Sequence, residues 1–277
     1  MPHAHLDDLE LFYDTVGAGP PVLLIMGFGV RGMAWRRQIP ALAAHHQVVW
    51  FDNRGVGETR AAPGSADLPA RSLTFARFAD DAVGLLDHLG IERAHVVGIS
   101  MGGMIAQHLA LRHPDRLLSL TLMATHAGGR GAVLPPRAGL RRFLGAHLRR
   151  QGRTRAVMEL LLTPEYLAQA DHAAVAADLR EELCQRSLAG RLGQLRAVFR
   201  HDTRAELERL GHVPTLVVQP AADVLIHPRH SAVLAAGIPG ARLVTLPAGH
   251  GLLREDPEAV NAALLGHFAA VDAAAGV

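Results

Sequence analysis

The chain changes from strand to helix within residues 94–104, AHVVGISMGGM. Ala94–Ile99 is a short apolar run of the kind found in strands buried on both faces, and Met101–Arg112 has the pattern of a helix that begins directly after it. Only Ser100 separates the two predicted elements. A strand that passes into a helix over one residue forces a sharp turn, so we expect Ser100 at the tip of that turn.

Two glycines flank this serine at the positions where a sharp turn has no space for side chains. Gly98 and Gly102 lie two residues before and after Ser100. The turn would lift the serine hydroxyl above the sheet and point the Met101 N–H, at the helix N-terminus, towards a developing oxyanion. The pattern therefore predicts a nucleophilic serine. A glycine-rich turn whose serine merely caps the helix is the alternative interpretation.

A base and an acid follow later in the chain. Asp223 comes just after the predicted strand Thr215–Gln219, and His250 just after the predicted strand Arg242–Leu246. The carboxyl ends of strands in an open α/β sheet are where ligands bind. The imidazole can take the Ser100 proton, and the carboxylate can hold the imidazole tautomer. We therefore predict Ser100, Asp223 and His250 as a catalytic triad.

The rest of the chain predicts an α/β fold with an insertion. Short apolar runs bounded by glycine alternate with helical patterns up to about residue 125, no strand is predicted from 126 to 210, and strands return afterwards. The further predicted strands are Leu9–Val16, Val22–Met26, Gln47–Phe51 and Leu117–Ala124. The predicted helices include Phe75–Leu89, Val157–Leu162, Val175–Leu188, Leu192–Phe199, His230–Ala236 and Glu258–Val271. The expected units are a core over 1–125 and 211–277 and a helical cap over 126–210, with 272–277 fraying.

Composition excludes several kinds of chemistry. The chain has 277 residues, 49% hydrophobic and 19% charged, which is typical of a globular protein with a sizeable core. Its single cysteine, Cys184, excludes an intramolecular disulfide and a multi-cysteine zinc site. All 28 basic residues are arginine, which excludes Schiff-base and phosphate-loop lysines. No His-Glu-x-x-His spacing occurs, so we expect no metal, and no cofactor is implied.

Charge and hydropathy set the expected partners. The formal net charge is only +2, which does not favour nucleic acid as a partner. The N-terminus lacks a basic start followed by an apolar stretch, and the apolar runs are far shorter than a bilayer span. We therefore expect a cytoplasmic protein without stable membrane insertion. The predicted serine nucleophile, and not the charge, favours a small-molecule ester as the partner, and a homo-oligomer remains open.

Five motifs together resemble the α/β-hydrolase superfamily over nearly the whole chain outside the insertion. They are Met26-Gly-Phe-Gly29, Asp52-Asn-Arg-Gly-Val-Gly57, Gly98-Ile-Ser-Met-Gly-Gly-Met104, Asp223 and Gly249-His250. The resemblance is greatest to Ser-triad esterases, enol-lactonases and cofactor-free, haloperoxidase-like perhydrolases. It implies that the N–H groups of Phe28 and Met101 form the oxyanion hole. The family usually has histidine where this chain has Met26.

The motif at 52–57 and most of the 17 histidines are expected to be structural. Arg54 is predicted to bind loop carbonyls beneath the site, and the histidines that include His46, His201 and His267 are expected at the surface. His126, at the root of the insertion, and His227, four residues past Asp223, are weaker candidates for contact with substrate.

The insertion is expected to roof the site with apolar side chains that include Met158 and Phe199. Residues 130–155 hold eight arginines and no acidic residue. These arginines are interpreted as a solvated helix face, with two alternatives: steering of anionic substrates, or weak contact with anionic membranes through Leu140, Phe143, Leu144 and Leu148.

A serine nucleophile limits the reaction to acyl transfer. The haloalkane dehalogenases and epoxide hydrolases of the resembled family use aspartate at this position, so both activities are excluded for Ser100. We expect a carboxylic ester hydrolase acting on small to medium, mainly apolar substrates. A perhydrolase, a carbon–carbon bond hydrolase and a hydrolase-fold binding protein with little turnover remain alternatives.

Overall fold

One sheet organises the molecule. The computed structural model describes residues 2–65, 70–129, 153–184 and 187–276. The strands are β1 (His3–Leu6), β2 (Leu9–Val16), β3 (Pro21–Ile25), β4 (Gln47–Phe51), β5 (Arg60–Ala61), β6 (Ala94–Ile99), β7 (Leu117–Met123), β8 (Thr215–Pro220) and β9 (Arg242–Leu246). Over these residues the sheet has nine strands in the order β1-β2-β4-β3-β6-β7-β8-β9, with β5 paired to β2.

The sheet is mostly parallel, as predicted. Strands β1, β5 and β4 pair antiparallel with β2. All pairs from β4 through β3, β6, β7 and β8 to β9 are parallel. The carboxyl ends of β6, β8 and β9, which precede Ser100, Asp223 and His250, therefore lie at one edge of the sheet.

Helices cover both faces. They are α1 (Ile39–Ala43), α2 (Phe75–His88), α3 (Met101–Arg112), α4 (Arg153–Leu161), α5 (Pro164–Gln169), α6 (His172–Glu182), α7 (Leu188–Arg200), α8 (Arg229–Gly237), α9 (Leu252–Glu255) and α10 (Pro257–Ala275). Short 3-10 helices lie at Gly32–Arg37, Ala70–Ser72, Pro114–Arg116 and Arg204–His212.

Side chains of the central strands alternate between two apolar cores. Leu23 and Ile25 of β3 lie in the core that α2 and α3 cover, and Val22 and Leu24 lie in the core on the other face, with Trp35 and residues of α10. These four side chains are fully buried. A strand buried on both faces needs apolar residues at every position, which explains the continuous apolar run.

The helical segment, which we define as α4 to α7 between β7 and β8, departs from its predicted elements. The helix predicted over Val175–Leu188 ends at Glu182. Leu183 instead forms an antiparallel bridge with Val30, and the Cys184 N–H donates to the Gly29 carbonyl at 3.1 Å. The chain leaves the helix because these backbone groups pair with the loop after β3, a tertiary contact that helical periodicity does not reveal.

The C-terminal residues also differ from expectation. Fraying was expected from Asp272 onwards, whereas α10 continues to Ala275. Asp272 Oδ1 lies 3.0 Å from His95 Nε2, so the last turn of α10 contacts the sheet. No helix of the described ranges has the length and hydropathy needed to cross a bilayer.

Candidate active site

Ser100 occupies a strained turn between β6 and α3. Its φ is 56° and its ψ is −121°, a region that non-glycine residues rarely adopt. The Ser100 N–H donates to the Met123 carbonyl at 2.9 Å, and the Thr125 hydroxyl donates to the Ser100 carbonyl at 2.7 Å. The neighbouring strand β7 and its following loop therefore hold the turn in place.

The glycines around Ser100 are required by close backbone contacts. A Cβ on Gly98 would lie 2.3 Å from the Gly102 carbonyl oxygen, and a Cβ on Gly102 would lie 2.1 Å from the Ile25 carbonyl oxygen. Neither distance is compatible with a side chain. The sequence pattern around Ser100 thus has a direct steric cause, because α3 begins pressed against the end of β3.

Asp223 and His250 meet at the same edge of the sheet. His250 Nδ1 lies 2.7 Å from Asp223 Oδ2, and both side chains are buried. The other carboxylate oxygen, Oδ1, accepts the N–H groups of Leu225 and Ile226 at 2.7 and 2.8 Å. With Nδ1 donating to Asp223, the lone pair of His250 Nε2 is left to accept a proton.

Contacts from the helical segment fix the loop that carries His250. The Gly251 N–H donates to the Leu161 carbonyl at 2.7 Å. Glu255 accepts the Gly249 N–H at 3.1 Å and the Thr163 hydroxyl at 2.6 Å. Burial raises the pKa of the Glu255 carboxyl. Glu255 and Thr163 were not predicted, because nothing local in the sequence links residues so far apart.

Two backbone N–H groups are free to bind an oxyanion. Phe28 lies on the loop after β3, and Met101 is the first residue of α3. Neither N–H has an acceptor within the described part of the chain. Gly27 lies against Ser100, since a Cβ built on it would be 3.7 Å from Ser100 Oγ. The two predicted donors are therefore available to donate hydrogen bonds to an oxyanion.

Two buried amides brace the Phe28 loop. Asn53 Nδ2 donates to the Met26 carbonyl at 2.8 Å. Gln194 of α7 accepts the Gly29 N–H at 3.0 Å through Oε1 and donates to the Arg54 carbonyl at 3.1 Å through Nε2. The loop is therefore held both by the core and by the helical segment. Gln194 was not predicted, because its role depends on how α7 packs.

The 52–57 motif is structural, but Arg54 acts differently from the prediction. Its guanidinium forms ion pairs with Asp81 and Asp8 at 2.6 and 2.9 Å instead of binding loop carbonyls. The side chain is fully buried, and a buried guanidinium is stabilised better by carboxylates than by neutral oxygens. Asp52 accepts the Gly32 and Glu58 N–H groups at 2.7 and 2.9 Å, which shapes the turn.

Ser100 and His250 line one cavity of about 620 Å³. The loop after β3 and helices α4, α6 and α7 contribute half of the residues in its wall. Apolar side chains predominate, among them Phe28, Ile99, Val157, Leu160, Leu161, Leu179, Leu183, Leu188, Leu225 and Leu253. Such a cavity suits a small to medium apolar compound with a few polar groups at its reacting end.

Three of the four charged arginine and glutamate side chains in the cavity wall, Arg37, Glu182 and Arg254, form ion pairs. Arg254 donates to Glu182 Oε1 at 2.8 Å and to Asp178 Oδ2 at 2.6 Å, and Arg37 donates to the same Asp178 oxygen at 3.0 Å. Burial raises the pKa of Glu182. These ion pairs join α6 to the core beside the cavity.

The three residues predicted to line the substrate site lie outside the cavity wall. Met158 is buried among Leu162, Val175 and Leu179, because its position on α4 faces α6 whereas the neighbouring Val157 faces the cavity. Phe199 is 59% exposed at the far end of α7, whose first turn is the part that reaches the cavity.

His126 does not line the cavity, and its ring binds the backbone of the loop on which it lies. Its Nδ1 accepts the Gly128 N–H at 2.9 Å, and burial lowers its pKa to about 4. His227, the other weak candidate, is exposed and accepts the Arg229 N–H at 3.1 Å. Leu225, two residues after Asp223, contributes to the cavity wall, and His227 does not.

Most of the arginine-rich stretch falls outside the described residues, as do Leu140, Phe143, Leu144 and Leu148. Within the stretch, Arg155 is exposed and pairs with Glu159 at 2.8 Å. That contact fits a solvated helix face at this position.

Similarity to known proteins places this arrangement in a family. Residues 20–257 match the family model described as the alpha/beta hydrolase fold. The chain belongs to this family, and the predicted α/β-hydrolase fold is confirmed. The match extends across the strands that carry Ser100, Asp223 and His250.

Relatives and solved structures match over almost their full length. RutD of Azorhizobium caulinodans, provisionally assigned as a carbamate hydrolase, is 34% identical over 98% of this chain and 100% of its own. The enol-lactonase of Burkholderia xenovorans LB400 is 28% identical, with a TM-score of 0.81 over 97% of this chain and 100% of its own. A thermophilic esterase of Thermogutta terrifontis is 30% identical, with a TM-score of 0.76 over 95% and 94%.

Proposed function

We propose that the protein is a serine hydrolase that cleaves carboxylic esters of small to medium, mainly apolar compounds through an acyl-enzyme. One observation carries the proposal: Ser100, at a strained turn, shares an apolar cavity with His250, whose ring is bonded to buried Asp223. The similarity to an esterase and to an enol-lactonase supports it, because a lactone is a cyclic ester.

In the first half-reaction, His250 Nε2 takes the hydroxyl proton as Ser100 attacks the ester carbonyl. Asp223 holds the ring through Nδ1 at 2.7 Å and stabilises the imidazolium that forms. The oxyanion accepts hydrogen bonds from the Phe28 and Met101 N–H groups. His250 then protonates the leaving alcohol, and the acyl group stays on Ser100.

In the second half-reaction, His250 removes a proton from water as that water attacks the acyl-enzyme. The same two N–H groups bind the second oxyanion. Collapse of the intermediate releases the acid, and the proton returns from His250 to Ser100. No group other than those of the chain and water is needed.

The helical segment serves as the cap in this proposal. Its helices α4, α6 and α7 contribute side chains to the wall of the cavity that Ser100 lines, so they help to determine the shape and polarity of the substrate space. A cavity of about 620 Å³ accepts a small to medium substrate and excludes a long-chain triglyceride.

A fluorophosphonate probe tests for an activated serine. We expect covalent labelling of the wild type, loss of labelling in Ser100→Ala, and full labelling in Ser187→Ala. Ser187 is the matched control because it lines the same cavity, and its hydroxyl accepts the Gly190 N–H at 2.9 Å at the start of α7. Mass spectrometry of the labelled peptide identifies the modified residue. An unlabelled wild type with Ser100 intact would contradict the proposed nucleophile and favour a binding protein.

A substrate panel tests the reaction class. We expect hydrolysis of short p-nitrophenyl esters and simple lactones, and no hydrolysis of long-chain triglycerides. Peracid formation from acetate and hydrogen peroxide would favour a perhydrolase, and loss of the colour of a dienoic diketone would favour a carbon–carbon bond hydrolase. A carbamate belongs in the same panel because RutD is a relative. Turnover of triglycerides without turnover of short esters would contradict the small-cavity proposal.

A further inference from the structure

Three side chains with metal-binding atoms converge at the edge of the sheet opposite Ser100. His46 immediately precedes β4, His95 lies at the start of β6, and Asp272 lies in the last turn of α10. Asp272 Oδ1 is 3.0 Å from His95 Nε2, and Asp272 Oδ2 is 3.7 Å from His46 Nε2. One potential ligand atom from each residue lies within 4.8 Å of the other two.

His46 is a buried histidine whose ring nitrogens are poorly satisfied by hydrogen bonds. Its side chain is 6% exposed, and the 3.7 Å from Nε2 to Asp272 is longer than a hydrogen bond. Its Nδ1 is buried and has no partner within the ranges the structure describes. A buried polar atom without a partner is unfavourable and calls for an explanation.

The Asp272 carboxylate is largely buried and has no arginine at ion-pair distance among the described residues. Its side chain is only 16% exposed, and it lies at a helix C-terminus, where the helix dipole disfavours a carboxylate. Within the described ranges its only partners at ion-pair distance are His46 and His95.

We propose that His46, His95 and Asp272 bind a divalent transition-metal ion, with Zn²⁺ the best fit. Neutral imidazole and carboxylate are ligands that Zn²⁺ prefers, and bonds of about 2 Å in a tetrahedron place ligand atoms about 3.3 Å apart. The observed 3.0 and 3.7 Å lie on either side of that spacing. Three protein ligands leave the fourth position for water.

Neighbouring residues hold the ligands in a suitable arrangement. Ser119 Oγ lies 2.8 Å from His95 Nδ1, so Nδ1–H can donate to Ser119 while Nε2 faces the metal. A second partner of this kind is typical of histidines that bind metals. Phe268 stacks on the His95 ring with centroids 4.5 Å apart and packs edge-on against His46.

A metal here would tie α10 to the sheet and would be structural, because β6 separates it from the candidate active site. Sequence motifs do not predict it, since His95 and Asp272 are 177 residues apart. The inference is independent of the proposed hydrolase activity. Fluorophosphonate labelling of the metal-free protein should equal that of the zinc-loaded protein.

The test is titration of the metal-free, full-length protein with ZnCl₂, followed by calorimetry and by thermal unfolding. We expect the wild type and His45→Gln to bind one more equivalent of zinc than His46→Gln and Asp272→Asn. Zinc should raise the Tm of the first pair and leave that of the second pair nearly unchanged. His45 is the matched control because it is the adjacent, exposed histidine.

Equal zinc stoichiometry and affinity in all four proteins would overturn the proposal, because that result indicates other surface histidines. Circular dichroism in EDTA shows whether the variants fold. If they do not, the Co²⁺-substituted wild type decides: visible absorption bands of tetrahedral Co²⁺ support the site, and their absence overturns it.

Discussion

Ser100 is held in a conformation that disfavours most residues, and the surrounding contacts stabilise it. A non-glycine residue in a sparsely populated region costs about 1–3 kcal/mol. The Met123 carbonyl and the Thr125 hydroxyl hold the Ser100 backbone on one side, and close packing of Gly102 on β3 holds it on the other. Backbone strain at this residue exposes its hydroxyl to the cavity.

At the residue scale, we expect Asp223 to affect catalysis by fixing the tautomer of His250. Asp223→Asn keeps the shape of the side chain and removes the charge that stabilises the imidazolium. We expect kcat for a short ester to fall by about 10³-fold to 10⁴-fold while KM changes little. Steady-state kinetics over a range of ester concentrations measure this effect. Asp202→Asn is the control, because Asp202 is exposed and pairs with Arg204 on the surface.

Wild-type kinetics in Asp223→Asn would show that another group orients His250. Glu255 is the nearest alternative, since it binds the Gly249 N–H in the same loop. Glu255→Gln separates the two roles. Loss of activity in Glu255→Gln, but not in Asp223→Asn, would reassign the acid.

At the scale of secondary-structure elements, the helical segment is joined to the catalytic loops. Gly29 is held by two elements: its N–H by Gln194 of α7 and its carbonyl by the Cys184 N–H, just after α6. The loop of His250 is held by Leu161 and Thr163, at the end of α4 and just beyond it. The position of these helices therefore affects the site directly, in addition to closing it.

Gln194→Met should show whether Gln194 positions the loop of Phe28 or instead contributes to substrate binding. Methionine has a similar length but leaves the Gly29 N–H and the Arg54 carbonyl buried without partners, so the Phe28 N–H shifts. We expect kcat to fall about tenfold with little change in KM, since losing an oxyanion donor outright costs about 10²-fold to 10³-fold. A boronic acid, which mimics the tetrahedral intermediate, should lose affinity in parallel. Gln169→Met, at an exposed position on α5, is the control.

A change in KM alone would show that Gln194 shapes the substrate space and does not position the oxyanion hole. An unchanged boronic-acid affinity together with a lower kcat would also contradict the expected mechanism. Both variants need melting curves, because an unpaired buried group lowers stability by about 1–3 kcal/mol.

At the scale of the whole molecule, buried histidines make stability depend on pH. The chain has many histidines, and three that pack together between α3 and the helical segment are neutral because of burial. Burial lowers the pKa of His108 and His126 to about 4 and that of His201 to about 3. His201 was expected at the surface, and so were His46 and His267, which are also buried. Tertiary packing, not local sequence, decides their exposure.

These histidines should destabilise the protein in acid. In the unfolded chain they take up protons below pH about 6.5, whereas the folded protein resists protonation down to pH about 4. The free energy of unfolding should therefore fall as pH drops from 6.5 to 4. Each of these histidines should contribute about 1 kcal/mol per pH unit. Guanidinium denaturation at several pH values measures the slope. His201→Gln should make it shallower than in the exposed control His172→Gln, and equal slopes would contradict the prediction.

Local sequence determined the parts of this protein that depend on neighbours in the chain. Buried strands need uninterrupted apolar runs, and the turn at Ser100 needs glycine at positions 98 and 102, so the sheet and the strained turn were predictable. The order of Ser100, Asp223 and His250 at strand ends follows from the same topology. These features are visible because periodicity and turn chemistry act over a few residues.

Only the tertiary structure decided the contacts between residues that are far apart in the sequence. It turned Met158 and Phe199 away from the cavity, paired Arg54 with Asp8 and Asp81, and brought Gln194 to the loop of Phe28. It also held Asp272 against His95, although the C-terminus was expected to fray. Each outcome depends on the rotation and position of a packed helix. Small differences in buried area and hydrogen bonding set these, and no short stretch of sequence encodes them.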